Sequence, residues 1–183
     1  MSAIRRWSLS MLCAAGLAAC GPVDHGIPLA QNVDLQRYSG RWYVIANIPY
    51  FAERGKVGSY FEISVEGDKF SDVYWGRKSF SEEPGSFTMK GYVVPGTGNA
   101  YWRESPLWPI YLSYLIVYVD QDYRHALVGY PGRGYGWVLA RDPVIEDAKY
   151  RELLSRFAAA GYDTSQFRRV PQRPEDIGKP DYQ

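Results

Sequence analysis

Eight short runs rich in apolar and aromatic residues, each bounded by turn-forming residues, are the dominant pattern of this chain. Short strands at regular spacing are typical of β-sandwiches and β-barrels. Their simple succession favours an up-and-down barrel, because closure removes the exposed sheet edges. We therefore predict an all-β fold, an eight-stranded antiparallel up-and-down barrel, with strands at Arg41–Ile48, Val57–Val65, Lys69–Lys78, Ser86–Val94, Asn99–Glu104, Leu112–Val119, Tyr123–Tyr130 and Gly134–Arg141.

The pattern changes after the eighth run. Glu146–Ala160 carries apolar residues at nearly helical spacing, and Gly161 follows at the position where a C-terminal cap is expected. We predict one amphipathic helix packed against the outside of the barrel, then a short strand at Phe167–Val170. The segment between Arg103 and Tyr111 is expected to form a loop near one barrel end, and residues 171–183 a loose tail.

The N-terminal residues of the chain predict that the protein is exported from the cytoplasm. Arg5 and Arg6 precede a short apolar stretch that is too short to span a membrane. The following Leu17-Ala18-Ala19-Cys20-Gly21 resembles a bacterial lipobox, which implies cleavage before Cys20 and acylation of that residue. We therefore divide the chain into a signal peptide (1–19), an acylated cysteine with its tether (20–34), a domain (35–170) and the tail (171–183). The alternative is an ordinary signal peptide with an incidental cysteine.

Charge and composition argue against several function classes. The formal net charge is +1 and no basic stripe is evident, so binding of nucleic acid is not expected. Neither of the two histidines belongs to a zinc-ligand pattern, and no G-x-S-x-G motif is present. We expect no metal, no cofactor and no catalytic residue. The prediction is a binding protein rather than an enzyme.

Three motifs resemble those of the lipocalin family. They are Gly40-Arg41-Trp42-Tyr43 on the first strand, Tyr118–Tyr123 around an aspartate turn, and the lone Arg141 that ends the eighth strand. Glu53-Arg54-Gly55, Tyr123–Val128 and Trp137–Arg141 are similar to the bacterial outer-membrane lipocalins of the apolipoprotein D branch. The resemblance covers about residues 35–170. It implies a carrier of fatty acids or lysophospholipids, anchored by lipid at the outer membrane and facing the periplasm.

The resemblance also implies structural roles for the motif residues. Trp42 is expected to fill the closed end of the barrel, with Arg141 stacked on its ring. Gly40 lets the chain turn into the first strand. Asp120 and Tyr123 bracket a hairpin, whose amides the aspartate can cap.

The expected cavity lining follows from the alternation of strand residues. An eight-stranded barrel can hold one small ligand. The parity of the third and fourth strands stays open, since Tyr74 and Trp75 both fit, and each position has the alternative of being closed core. The inward-facing residues are predicted to be Val44, Ala46, Phe61, Ile63, Met89, Gly91, Trp102, Tyr114 and Ile116.

Two function classes remain open. The first is a lipid carrier that serves membrane maintenance or stress repair. The second is an envelope interaction protein that binds a partner through aromatic loops at the barrel mouth and has little internal cavity. Exposed aromatic residues there would also suit a homodimer. A more remote option is a lipocalin-fold enzyme acting on an isoprenoid or carotenoid.

Overall fold

The computed structural model describes residues 26–183, and the predicted signal peptide and Cys20 lie outside this range. Each neighbouring strand pair is antiparallel, and the β1–β2 pairing closes eight strands into a barrel in chain order. The predicted up-and-down barrel is confirmed. The strands are β1 Gly40–Ile48, β2 Val57–Glu66, β3 Lys69–Arg77, β4 Gly85–Val93, β5 Tyr101–Leu107, β6 Ile110–Val119, β7 His125–Gly129, β8 Gly136–Ala140 and β9 Arg168–Arg169.

In the described residues 26–183, two α-helices accompany the barrel, α1 (Leu35–Tyr38) and α2 (Asp147–Ala159). The side chains of Tyr150, Leu153 and Phe157 recur at helical spacing on α2 and are buried against the outer wall of the barrel. Gly161 follows at φ +84°, the left-handed conformation that commonly ends a helix. The predicted external helix is therefore confirmed. No helix in residues 26–183 is long and apolar enough to cross a membrane.

The apolar side chains form two separate layers. One fills the barrel around Trp42 and Trp102, and the other lies between the barrel wall and α2. Ala46 was predicted to face inward, but both Ile45 and Ala46 belong to the outer layer. The pairing of β1 with β8 shifts register between Val44 and Ala46. Such a bulge breaks strict alternation, which is why the inward parity of β1 ends at Val44.

The N-terminal segment 26–34 is packed rather than a free tether. The side chains of Ile27 and Val33 are buried. Ala30 donates its backbone N–H to the Ile116 carbonyl oxygen at 2.9 Å. The domain therefore begins before residue 35, and only the part of the predicted tether that precedes residue 26 lies outside the described structure.

The C-terminal segment 171–183 is packed too, so the expectation of a loose tail is wrong. Gln172 Nε2 donates to the carbonyl oxygens of Val44 (2.8 Å) and Ser59 (2.9 Å). The carboxylate of Asp176 is buried and accepts from both Arg173 and Lys179. Proline and charge suggested solvent exposure, but these side chains bond to one another and to the barrel.

The expected loop from Arg103 to Tyr111 is a hairpin. Strand β5 continues to Leu107 and β6 already begins at Ile110, with only Trp108 and Pro109 between them. At this hairpin β5 ends later and β6 begins earlier than the sequence predicted.

Candidate ligand-binding cavity

The closed end of the barrel is built around Trp42. This ring is fully buried, and the Arg141 guanidinium carbon lies 3.7 Å from the ring centroid. Arg141 Nη1 donates to the Arg41 carbonyl oxygen at 2.6 Å, and Nη2 donates to the Ser39 carbonyl oxygen at 2.9 Å. Arg141 Nε donates to the Tyr123 carbonyl oxygen at 3.2 Å. Arg141, at the end of β8, is thus hydrogen-bonded to the chain around the start of β1 and to the turn before β7.

The other motif residues lie around the contact between Trp42 and Arg141. Gly40 has φ +100°, and a Cβ there would lie 3.3 Å from Arg141 Nη1. Asp120 Oδ1 accepts the backbone N–H groups of Arg124 (2.7 Å) and His125 (3.1 Å), which caps the β6–β7 turn. The Tyr123 hydroxyl accepts the Asp34 N–H at 2.7 Å. These contacts close this end of the barrel.

The opposite end of the barrel contains a cavity of about 590 Å³. It opens where the β1–β2, β3–β4, β5–β6 and β7–β8 connections meet. Pockets of roughly 300–1,000 Å³ are the usual size for small-molecule sites. Its aromatic lining consists of Tyr50, Phe51, Phe61, Phe87, Tyr114, Tyr130, Tyr135 and Trp137.

Eight of the nine predicted lining residues divide into three groups, and Gly91 is the ninth. Phe61, Met89 and Tyr114 line the cavity. Ala46 lies outside the barrel, as described above. The remaining inward side chains are packed in the inner layer with Trp42, deeper than the cavity, and these are Val44, Ile63, Trp102 and Ile116.

Gly91 has a different role from lining. It pairs with Phe70 of β3 and Glu104 of β5, and a Cβ there would lie 1.9 Å from the Arg103 carbonyl oxygen. The glycine permits β4 and β5 to approach closely. On β3, Tyr74 belongs to the inner layer and Trp75 does not, so the open parity is resolved in favour of Tyr74.

Three carboxyl side chains in the lining were missed from the sequence: Glu53, Asp72 and Glu104. Asp72 alternates with Phe70 and Tyr74, and Glu104 follows Trp102 by two residues. Their inward parity was therefore readable once that of their strands was known. Charged residues are seldom fully buried, so alternation with aromatic residues was the available signal.

Glu53 lies near the mouth and is hydrogen-bonded. Its carboxylate accepts from Asn47 Nδ2 at 2.8 Å and from Trp137 Nε1 at 3.0 Å. Burial raises the pKa of the Glu53 carboxyl to about 7, although these two hydrogen bonds act in the opposite direction. The interaction holds the β1–β2 connection against β8.

Asp72 and Glu104 have no such partners. Asp72 Oδ1 and Glu104 Oε2 are buried and accept no hydrogen bond from the described residues. Burial, followed by the charges of Glu104 and Glu53, holds the pKa of Asp72 well above its usual range. Burial and the charge of Glu53 raise the pKa of Glu104 to about 8.

Two pairs of hydrogen-bonded hydroxyl groups also lie near this site. The hydroxyls of Tyr38 and Tyr114 lie 2.9 Å apart, and so do those of Ser59 and Tyr74. None of the described lining residues is Lys, Arg or His. Within residues 26–183, no group of three His, Cys, Asp or Glu side chains is arranged to hold a metal ion.

The rim of the mouth is apolar and exposed. Phe51 in the β1–β2 connection is 84% exposed, and Trp108 at the β5–β6 turn is 78% exposed. Leu107, Ile110 and Tyr135 are also exposed at this end. The cavity is thus reached through a hydrophobic rim.

Comparisons with known proteins agree with this architecture. Residues 33–172 match the family described as a lipocalin-like domain. The outer membrane lipoprotein Blc of Escherichia coli K12 is 33% identical over 150 residues, covering 80% of this chain and 84% of that protein. Temperature-induced lipocalin-1 of Arabidopsis thaliana is 29% identical over 160 residues, covering 79% and 82%. The solved structure of insecticyanin from Manduca sexta has a TM-score of 0.60 at 16% identity, covering 81% and 85%, and shows likeness of fold alone.

Proposed function

Since the chain belongs to the lipocalin-like family, we propose that it binds a single-chain lipid in its barrel and stores or transports that lipid at the bacterial outer membrane. Fatty acids and lysophospholipids are the ligands that the resemblance implies. Membrane maintenance or stress repair is the purpose we assign to this activity. The proposal is for binding, not for catalysis.

The cavity is the observation that carries the proposal. It has a volume of about 590 Å³, an aromatic lining and a single apolar rim. Each buried CH₂ of an acyl chain contributes roughly 0.8 kcal/mol. A chain of ordinary length therefore supplies enough free energy for binding without a covalent step.

Location rests on the lipobox and on the relatives. Cys20 would carry the acyl chains that attach the protein to the membrane, since stable anchoring takes two hydrophobic signals. Similar proteins from Escherichia coli and Vibrio cholerae are named outer membrane lipoproteins. We propose the same membrane here, with the barrel facing the periplasm.

Native mass spectrometry and calorimetry test the proposal. The mature chain carrying Cys20→Ser is titrated with oleate and with lysophosphatidylethanolamine. We expect saturable one-to-one binding. Met89→Trp, which fills the cavity, should weaken binding about tenfold or more, equivalent to about 1.4 kcal/mol. Lys90→Trp is the matched control, because Lys90 is the next residue on β4 and is exposed.

Absence of saturable binding for both lipids would overturn the carrier proposal. The interaction protein would then be the better interpretation, and the exposed Phe51 and Trp108 at the rim are the observation that favours it. Its expected lack of an internal cavity does not fit the volume found. A homodimer formed through this rim stays a prediction, to be tested by sedimentation of the same protein.

A further inference from the structure

We propose that Asp72 and Glu104 form a receptor for the protonated amine of a single-chain amphiphile, which enters the barrel head first with its hydrocarbon chain directed to the mouth. This inference rests on the proposed lipid-binding function and names the chemical class of its ligand. It concerns the polar end of the ligand, whereas the apolar cavity concerns its chain.

Asp72 and Glu104 reach the same cavity from two strands. Asp72 is on β3 and Glu104 is on β5, and β4 lies between them. On β4, Met89 pairs with Asp72 and Gly91 pairs with Glu104, so only Met89 places a side chain beside the acids. Both carboxyl groups line the same cavity, at 3% and 7% exposure. They form a polar floor below an aromatic wall.

Both acids have an oxygen atom without a protein partner. Asp72 Oδ1 and Glu104 Oε2 accept no hydrogen bond from the described residues. Buried polar atoms in folded proteins nearly always have a partner, so two such oxygens in one cavity are available to the donors of a ligand. Tyr114, the nearby hydroxyl in the lining, is already bonded to Tyr38.

The lining offers acids but no base. The described lining contains Glu53, Asp72 and Glu104 but no basic residue. A carboxylate or phosphate placed at this floor would have no counter-ion, and burying an unpaired charge is unfavourable. An ammonium supplies both the positive charge and up to three donors. A phosphate next to the ammonium would bring an anion to the same acids, so the inference commits to an amine without one.

The two ends of the cavity differ in polarity, and this sets the orientation of the ligand. The mouth is surrounded by apolar side chains such as Phe51 and Trp108, and the acids lie deeper. A ligand that buries its chain along the aromatic wall and its amine at the floor matches both regions. A fatty acid fits only tail first, with its carboxylate outside and its chain against the two acids.

Proton release should accompany amine binding. Burial raises the pKa values of Asp72 and Glu104, so the empty floor retains protons near neutral pH. An ammonium stabilises the charged carboxylates and drives those protons into the buffer. The ionisable groups that face the pair from other elements are Glu53 of the β1–β2 connection, Tyr38 of α1, Tyr50 and Tyr114.

Calorimetry with three ligands of equal chain length tests the inference. Dodecylamine, dodecanol and dodecanoate are titrated below their micelle concentrations into the mature Cys20→Ser protein at pH 7. We expect the amine to bind at least about tenfold tighter than the other two, as a charge-assisted contact predicts. Repetition in buffers of different ionisation enthalpy should show proton release with the amine alone.

Isosteric variants identify the receptor. Asp72→Asn and Glu104→Gln should each weaken amine binding about tenfold while dodecanol affinity changes little, which also shows that the cavity is intact. Glu66→Gln, at an exposed acid near the closed end, is the matched control. Equal affinity for amine and dodecanoate, or amine binding insensitive to both variants, would overturn this inference and leave the carrier function standing. Failure of all three ligands to bind would overturn both.

Discussion

Arg141 shows how one side chain closes a barrel. Its planar guanidinium lies over the Trp42 ring and donates to carbonyl oxygens on the segment before β1 and on the turn before β7. A guanidinium has five donors in a rigid fork, whereas an ammonium has a compact, strongly hydrated charge. The geometry therefore depends on arginine and not merely on positive charge.

Replacing Arg141 with alanine should lower the free energy of unfolding by about 1–3 kcal/mol, because carbonyl oxygens lose their donors and the Trp42 ring loses its cover. Urea unfolding followed by Trp fluorescence measures this change. Arg124→Ala is the control, since Arg124 makes an exposed ion pair with Asp142. An Arg141→Ala midpoint equal to that of the control would contradict the structural role.

At the scale of elements, the barrel depends on segments that are not among its eight strands. β1 and β2 pair only from Gly40↔Ile63 to Tyr43↔Tyr60. Beyond that point Gln172 bridges them through the carbonyl oxygens of Val44 and Ser59. Helix α2 covers the outer face of β1 and of the strands on its other side, β6, β7 and β8. The tail thus supports the part of the barrel where direct β1–β2 pairing ends, and the helix supports the wall on the other side of β1.

Gln172→Ala should cost about 1–3 kcal/mol of stability, because the two carbonyl oxygens lose their shared donor. Gln121→Ala, in the exposed β6–β7 turn, serves as the comparison. Chemical denaturation of both variants measures the difference. Equal midpoints would mean that the tail contacts do not support the barrel.

Leu153→Ala should cost about 2–5 kcal/mol, because Leu153 is fully buried between α2 and the barrel. Arg151→Ala removes an exposed side chain from the same helix and should change stability little. Thermal unfolding monitored by circular dichroism distinguishes the two. A small effect of Leu153→Ala would indicate that the helix is only loosely attached.

At the scale of the whole molecule, three buried carboxyl groups couple the ligand-free fold to pH. The pKa values of Glu53 and Glu104 are raised to about 7 and about 8, and that of Asp72 is raised as well. The native state therefore binds more protons than the unfolded chain between their unfolded and folded pKa values. In that pH range, the free energy of unfolding falls as the pH rises.

We expect the ligand-free protein to be most stable near pH 5 and to lose on the order of a few kcal/mol by about pH 8. Melting temperatures across this range provide the measurement. Glu104→Gln should flatten the profile, whereas Glu66→Gln at an exposed position should leave it unchanged. A wild-type profile that rises from pH 5 to pH 8 would show that these carboxyls are not raised in the native state.

Local pattern alone was enough to predict the strand order, the external helix and the inward parity of β2, β5 and β6. Phe61, Met89 and Tyr114 were placed in the lining by alternation, and Trp42 and Arg141 at the closed end by their motifs. The strands, the helix and the alternation depend on periodicity and turn chemistry, which are properties of neighbouring residues, whereas the roles of Trp42 and Arg141 came from the resemblance to lipocalin motifs. Predictions from local pattern agree with the structure because the barrel pairs its strands in chain order.

Long-range contacts decided the rest. The bulge after Val44 moved Ala46 outside, and the partners of Gln172 lie 113 and 128 residues away along the chain. The depth at which packing ends and the cavity begins is likewise set by side chains from several strands together. Periodicity and turn residues were enough for the barrel and its helix, and the family motifs were enough for its closed end. Only the tertiary structure brought Asp72 and Glu104 together as unpartnered acids, because burial and neighbouring charge belong to the assembled cavity.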